Sequence, residues 1–152
     1  MKKLFALILT VCLLASMSVT AFAANTTGGE ADITTSIDPT YTVTIPADVN
    51  VAFNATETAF GTIEVAASQI HPDKCIKVAL ATDKELNNAI DNTKVIPYAI
   101  KDSEGAAFTS ATYLTEGDKT ELSIHITADD WNAAYAGDYS DTVTFTVSYE
   151  DK

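Results

Sequence analysis

The chain has 152 residues, with 21 acidic side chains against nine lysines, no arginine and a net charge of −12. Such a surface excludes nucleic acid and anionic membranes as partners, because binding either requires phosphates to be neutralised by Lys or Arg. The length fits one domain with a core large enough to stand without staples.

In chain order, Met1-Lys2-Lys3 is a short basic start, residues 4–19 are mostly apolar and uncharged, and Ala21-Phe22-Ala23 places small residues at a cleavage position. This is the pattern of a secretory signal peptide over residues 1–23, cut after Ala23. The apolar run is short and lies at the very start, which argues against a membrane span in the mature chain. Cys12 lies inside that run behind Val11, where a lipoprotein cysteine would end it. Cleavage removes Lys2 and Lys3 and takes the charge from −12 to −14. It leaves Cys75 as the one thiol, so no internal disulfide forms. Cys75 opens an apolar run and reads as a buried small hydrophobe.

Residues 24–30 are polar with a Gly-Gly pair and read as a flexible leader to a single domain over 31–152. Ala31, Ile33, Thr35 and Ile37 alternate with polar residues as a short strand that Asp38-Pro39 breaks off. Tyr41, Val43 and Ile45 form a second strand, and Val49, Val51 and Phe53 a third or an extended edge. Phe60 to Val65 is a strand in which Gly61 marks a bulge or a close approach. Cys75 to Ala81 is another. The polar stretch 83–93 reads as a loop or helical turn, and 95–100 as a strand that Pro97 assigns to an edge. Residues 108–114 are a strand or an irregular connection. Leu122, Ile124 and Ile126 alternate, as do Val143, Phe145, Val147 and Tyr149, and these two runs are expected to pair, the last near the centre of its sheet. Between them lie a helical turn and a bend. Turn signals roughly every ten residues then predict an all-β, immunoglobulin-like β-sandwich of about seven to nine antiparallel strands behind a cleaved signal peptide.

Candidate chemistry is sparse. His71 falls in a loop and His125 on an outward strand face, with no nucleophile motif beside either, so no enzyme and no cofactor are expected. Asp129, Asp130, Asp138 and Asp141 bracket the bend and are the candidate calcium ligands. The competing reading makes Asp129 and Asp130 helix-start acids and Asp141 a local backbone acceptor. Trp131, Tyr135 and Tyr139 form either a ligand-binding edge that stacks on sugar rings or, for Trp131 and Tyr139, a plug and a core residue.

The run Gly137, Tyr139, Asp141, then alternating Val and Thr to Tyr149, together with Phe60-Gly61-Thr62-Ile63, resembles the spore-coat-protein-U family of secreted, fimbria-like bacterial domains. Wall-associated β-sandwich proteins of the WxL type carry similar endings. The chain lacks the cysteines that family carries near its first strand. The resemblance implies an immunoglobulin-like sandwich and a cell-surface role. The sequence thus leads to two expectations for a secreted protein. One is a structural or adhesive subunit whose partner is a second copy, met through the strand of Ala31, Ile33, Thr35 and Ile37. The other is a monomeric module for a cell-surface glycan or protein at the Trp131, Tyr135, Tyr139 edge.

Overall fold

A computed structural model describes residues 30–152. The expected signal peptide, 1–23, and the expected leader, 24–30, apart from Glu30, lie outside the described residues. Ser36–Lys152 form one compact unit. Its elements are β1 (Thr40–Thr44), β2 (Glu57–Gln69), β3 (Lys74–Ala81), β4 (Glu85–Asn88), β5 (Val95–Pro97), β6 (Ala99–Asp102), β7 (Ser110–Tyr113), β8 (Lys119–His125), α1 (Ala128–Ala133), β9 (Tyr139–Ser140) and β10 (Thr144–Asp151). The described residues are all-β apart from one helical turn and a half. Among the described residues no helix is long and apolar enough to cross a membrane.

Every strand pairing is antiparallel, and the strands form three sheets, ordered β1-β2-β8-β6, β10-β3-β7 and β5-β4-β9. The core is shared between them. Ile63 and Val65 of β2, Leu122 and Ile124 of β8 and Ile100 of β6 pack with Ile76 and Val78 of β3, Tyr113 of β7 and Ile96 of β5. Alternation explains the selection, since residues two apart on a strand share a face. Each fully buried isoleucine here contributes about 1.5–3 kcal/mol by leaving water. Cys75 is buried among these strands at 4 % exposure, as its apolar neighbourhood predicts.

Several expectations are corrected. β10 does not pair with β8. It pairs along its whole length with β3, Thr144 opposite Ala81 through Asp151 opposite Lys74, while β8 lies between β2 and β6. Nor is β10 central: it is the end strand of its sheet. Chain adjacency favours pairing, but α1 and the bend carry the chain from one sheet to the other. The polar stretch 83–93 contains a strand, β4, held between β5 and β9 with Leu86 as its one apolar residue on the core. The strand expected over 95–100 is two strands in different sheets, with Pro97 at the end of β5, an outer strand, as a residue without an N–H requires. Residues 49–53 form no strand. Residues 30–39 form none either, so Ala31, Ile33, Thr35 and Ile37 are not a strand within one chain. A lone seven-residue segment has no ladder to join and does not hold an extended pairing by itself.

Candidate functional site

β10 carries the cleanest alternation in the sequence, yet its apolar row is only partly covered. Phe145 and Tyr149 are half-buried and Val147 is 37 % exposed. The cause is topological. β3 occupies one edge of β10, and among the described residues no strand pairs with the other, which leaves a gap beside it. At one end the gap is closed by Tyr41 of β1 stacked on Tyr149 of β10, ring centroids 5.8 Å apart. Beyond that stack it opens into a cleft of about 820 Å³. Phe60, Ile96, Ile124 and Phe145 form its floor, and Phe60 and Phe145 meet at 5.9 Å.

One wall is the segment 45–53, which follows β1. Ile45, Ala47, Val49, Val51 and Phe53 alternate through it, and all line the cleft. Among the described residues no hydrogen bond engages the backbone of 46–51. The segment is anchored where Pro46 crosses β2 at Gly61, whose φ of +136° sits at the register shift between β2 and β8. A Cβ on Gly61 would stand 3.1 Å from that of Pro46, so the glycine expected to mark a bulge or close approach marks both. At the far end Ala55 N–H donates to the Ala52 carbonyl, 3.0 Å away. The unbonded backbone of 46–51 and the start of β10 at Phe145, the one residue of that strand lining the cleft, therefore flank an apolar floor.

The opposite wall, 137–143, is held by two polar clusters. In the first, Asp141 accepts hydrogen bonds from the Tyr98 hydroxyl, from Thr82 Oγ1 at 2.8 Å and from the Thr142 N–H at 2.6 Å. Burial, and then the bond to Asp141, hold the Tyr98 hydroxyl far above the ordinary phenol range. In the second, the buried Asn88 caps its own loop, its Oδ1 accepting from the N–H groups of Ile90 and Asp91. Gly137 passes directly over it with φ +146°, and a Cβ there would lie 2.6 Å from Asn88 Nδ2. Gly137→Ala is therefore expected to cost about 2–3 kcal/mol, from backbone strain and displacement of Asn88. A thermal melt should fall by about 8–15 °C.

The sequence-expected aromatic edge divides. Trp131 is half-buried, its Nε1–H donates to the Ala55 carbonyl at 2.8 Å, and Phe53 meets it edge-on at 5.6 Å. It plugs the end of the cleft. Tyr139 packs against the core and donates its hydroxyl to the Tyr135 carbonyl at 3.0 Å. Tyr135 alone of the three is exposed, with Lys94 Nζ 5.0 Å from its ring centre. The three do not share one open face.

The four aspartates also divide. Asp130 belongs to the N-cap of α1, where Thr127 Oγ1 accepts from its N–H, and Asp129 lies in the same first turn. Asp138 and Asp141 line the cleft. Among the described residues no three His, Cys, Asp or Glu side chains converge as a metal site. His125 Nε2 is 2.9 Å from Ser123 Oγ on the same strand face. Ala31, Ile33, Thr35 and Ile37 stay outside any ladder, with Ile33 at 98 % and Ile37 at 62 % exposure.

Sequence reasoning missed Thr82, Tyr98 and Asn88. Thr82 and Tyr98 meet Asp141 from far along the chain, and the burial of Asn88 under Gly137 brings together residues just as distant, so no local pattern marks them. The wall 45–53 carried a signal, its strict alternation, but alternation does not say whether a partner strand exists. The chain matches no protein-family model and no curated protein.

Proposed function

We propose that the protein is a secreted, cell-surface structural subunit that assembles by strand addition. It is read as an immunoglobulin-like sandwich without its closing strand. In that fold one sheet has strands A, B, E, D and the other G, F, C. The order β1-β2-β8-β6 follows A-B-E-D, and β10-β3 follows F-C, leaving the G position beside β10 vacant. The partner is a second copy, whose residues Ala31, Ile33, Thr35 and Ile37 would lie along β10 with their side chains on the cleft floor. Main-chain bonds to the free edge supply affinity, and alternate side chains in pockets supply specificity.

The observation that carries this reading is a free strand edge beside an open apolar cleft, in a chain that also bears an unpaired alternating segment with Ile33 98 % exposed. Seven extended residues span roughly 23 Å, close to the roughly 27 Å of an eight-residue strand. Return of the segment into its own cleft is disfavoured. Only Asp38 and Pro39 separate Ile37 from β1, and two-residue reversals need positive φ at both positions or glycine at the first. Proline cannot adopt positive φ. The signal-peptide pattern and the resemblance to fimbria-like domains point the same way.

Deleting residues 24–37 should abolish every assembly larger than the monomer in light scattering, while the far-ultraviolet spectrum keeps its β character. Unchanged assembly size after the deletion would end this reading.

A further inference from the structure

We propose that ionic strength gates the filling of the cleft, a regulation that rests on the strand-addition reading above. The residues lining the cleft include Asp48, Asp138 and Asp141, and neither lysine nor histidine. Asp141 is surrounded by the hydrogen-bond donors Thr82, Tyr98 and Thr142, whereas Asp48 and Asp138 are exposed. The seven lysines of the described residues all lie outside the cleft lining. Lys74, Lys77 and Lys119 pair with Asp151, Glu150 and Glu121, and Lys94 sits over the Tyr135 ring. The incoming segment is acidic too. Residues 30–38 carry Glu30, Asp32 and Asp38 and no basic side chain.

Strand and receptor therefore attract through apolar side chains and repel through charge. The two forces differ in range. Apolar contact acts only on docking and does not weaken with salt. Carboxylates on the order of 10 Å apart repel across a Debye length of about 30 Å at 0.01 M salt, but hardly at all across about 3 Å at 1 M. Copies stay apart in dilute medium and join where charge is screened. Through the summed pairs, association should tighten about ten- to a hundredfold between about 20 mM and 500 mM sodium chloride.

The test uses the whole mature chain, with light scattering for assembly and a fluorescent peptide of residues 30–38 for strand capture, both titrated with sodium chloride. Asp48→Asn/Asp138→Asn should assemble at low salt and lose most of the salt dependence. Glu104→Gln/Glu116→Gln removes the same charge from exposed positions outside the cleft lining and should behave like the parent. Equal flattening by both pairs would overturn rim gating in favour of bulk charge, and salt-independent assembly of the parent would overturn it outright. Absence of both assembly and peptide capture up to 1 M salt would instead remove strand addition itself.

Discussion

A chain lacking residues 24–37 but carrying a copy of residues 30–37 behind Lys152, joined through a four-residue Asn/Gly turn, should melt about 10–25 °C higher than the same deletion without the copy. β10 ends at Asp151, so a tight turn there brings the appended segment back along its free edge as an antiparallel neighbour. Two effects add. Ile37 moves from solvent to the cleft floor beside Phe145, and Ile33 packs on Tyr149 in place of the Tyr41 ring, worth up to about 1.5–3 kcal/mol each. Val147, now 37 % exposed, and the half-buried Phe145 lose their remaining contact with water. Closing so short a loop costs little against this, and a net gain of about 3–6 kcal/mol converts to the stated shift for a domain of this size. Ile33→Asp/Ile37→Asp within the appended copy should cancel the gain, because two carboxylates would be driven onto an apolar floor. Equal melting temperatures for the appended and unappended proteins would mean that the cleft is no strand receptor. A gain that survives the double aspartate change would mean that the appended segment stabilises from somewhere else.

Residue patterns carried the strand content further than the strand neighbourhoods. Val143 to Tyr149 announced a strand with one apolar face, and β10 is that strand. Period two reports faces, however, and is silent on whether a backbone edge has a neighbour. That is why β10 was expected at the centre of a sheet and lies at an end. The same limit applies to residues 45–53, whose alternation is real and whose ladder is missing. Gly61, Gly137 and Pro97 were legible because each does something backbone geometry allows few residues to do. Glu85 to Asn88 was not legible as a strand, since nothing apolar repeats there. What fixes it is the buried Asn88 and its bonds to Ile90 and Asp91, a polar anchor where the usual signal is a greasy face. Of the cleft, Trp131, Tyr139, Asp138 and Asp141 were singled out, though for chemistry the geometry distributes differently. The Tyr98 contacts with Asp141 and Thr82 span 43 and 16 residues and no single-sequence pattern encodes them.

Asp141→Ala should be the most damaging polar substitution in the cleft wall, lowering stability by about 3 kcal/mol or more and the melting temperature by about 10 °C or more. Three donors converge on this carboxylate from Thr82 at the end of β3, Tyr98 between β5 and β6, and Thr142 just before β10. Thr82 Oγ1 also accepts from the Lys84 N–H at 2.9 Å. The Thr82 and Tyr98 hydroxyls also lie 2.8 Å from each other, so either can donate across that contact when it does not donate to Asp141. Alanine leaves the Tyr98 and Thr82 hydroxyls only each other, 2.8 Å apart, and takes the Thr142 N–H's side-chain acceptor away. Asparagine keeps one carbonyl oxygen and should cost less. Tyr98→Phe removes one donor, leaves Asp141 with two, and should cost about 1 kcal/mol. Because the residues touch, Tyr98→Phe and Asp141→Asn should be non-additive by at least about 0.5 kcal/mol in a double-mutant cycle. Alkaline pH supplies a second readout. The Tyr98 hydroxyl is raised above the ordinary phenol value of about 10, chiefly by burial and then by the bond to Asp141. Folding thus favours the neutral phenol. The associated stability is complete below the unfolded pKa near 10 and declines once pH rises past it. Parent protein should lose more stability than Tyr98→Phe between pH 8 and pH 11, and parallel losses in the two would show that the phenol is not held neutral by its surroundings.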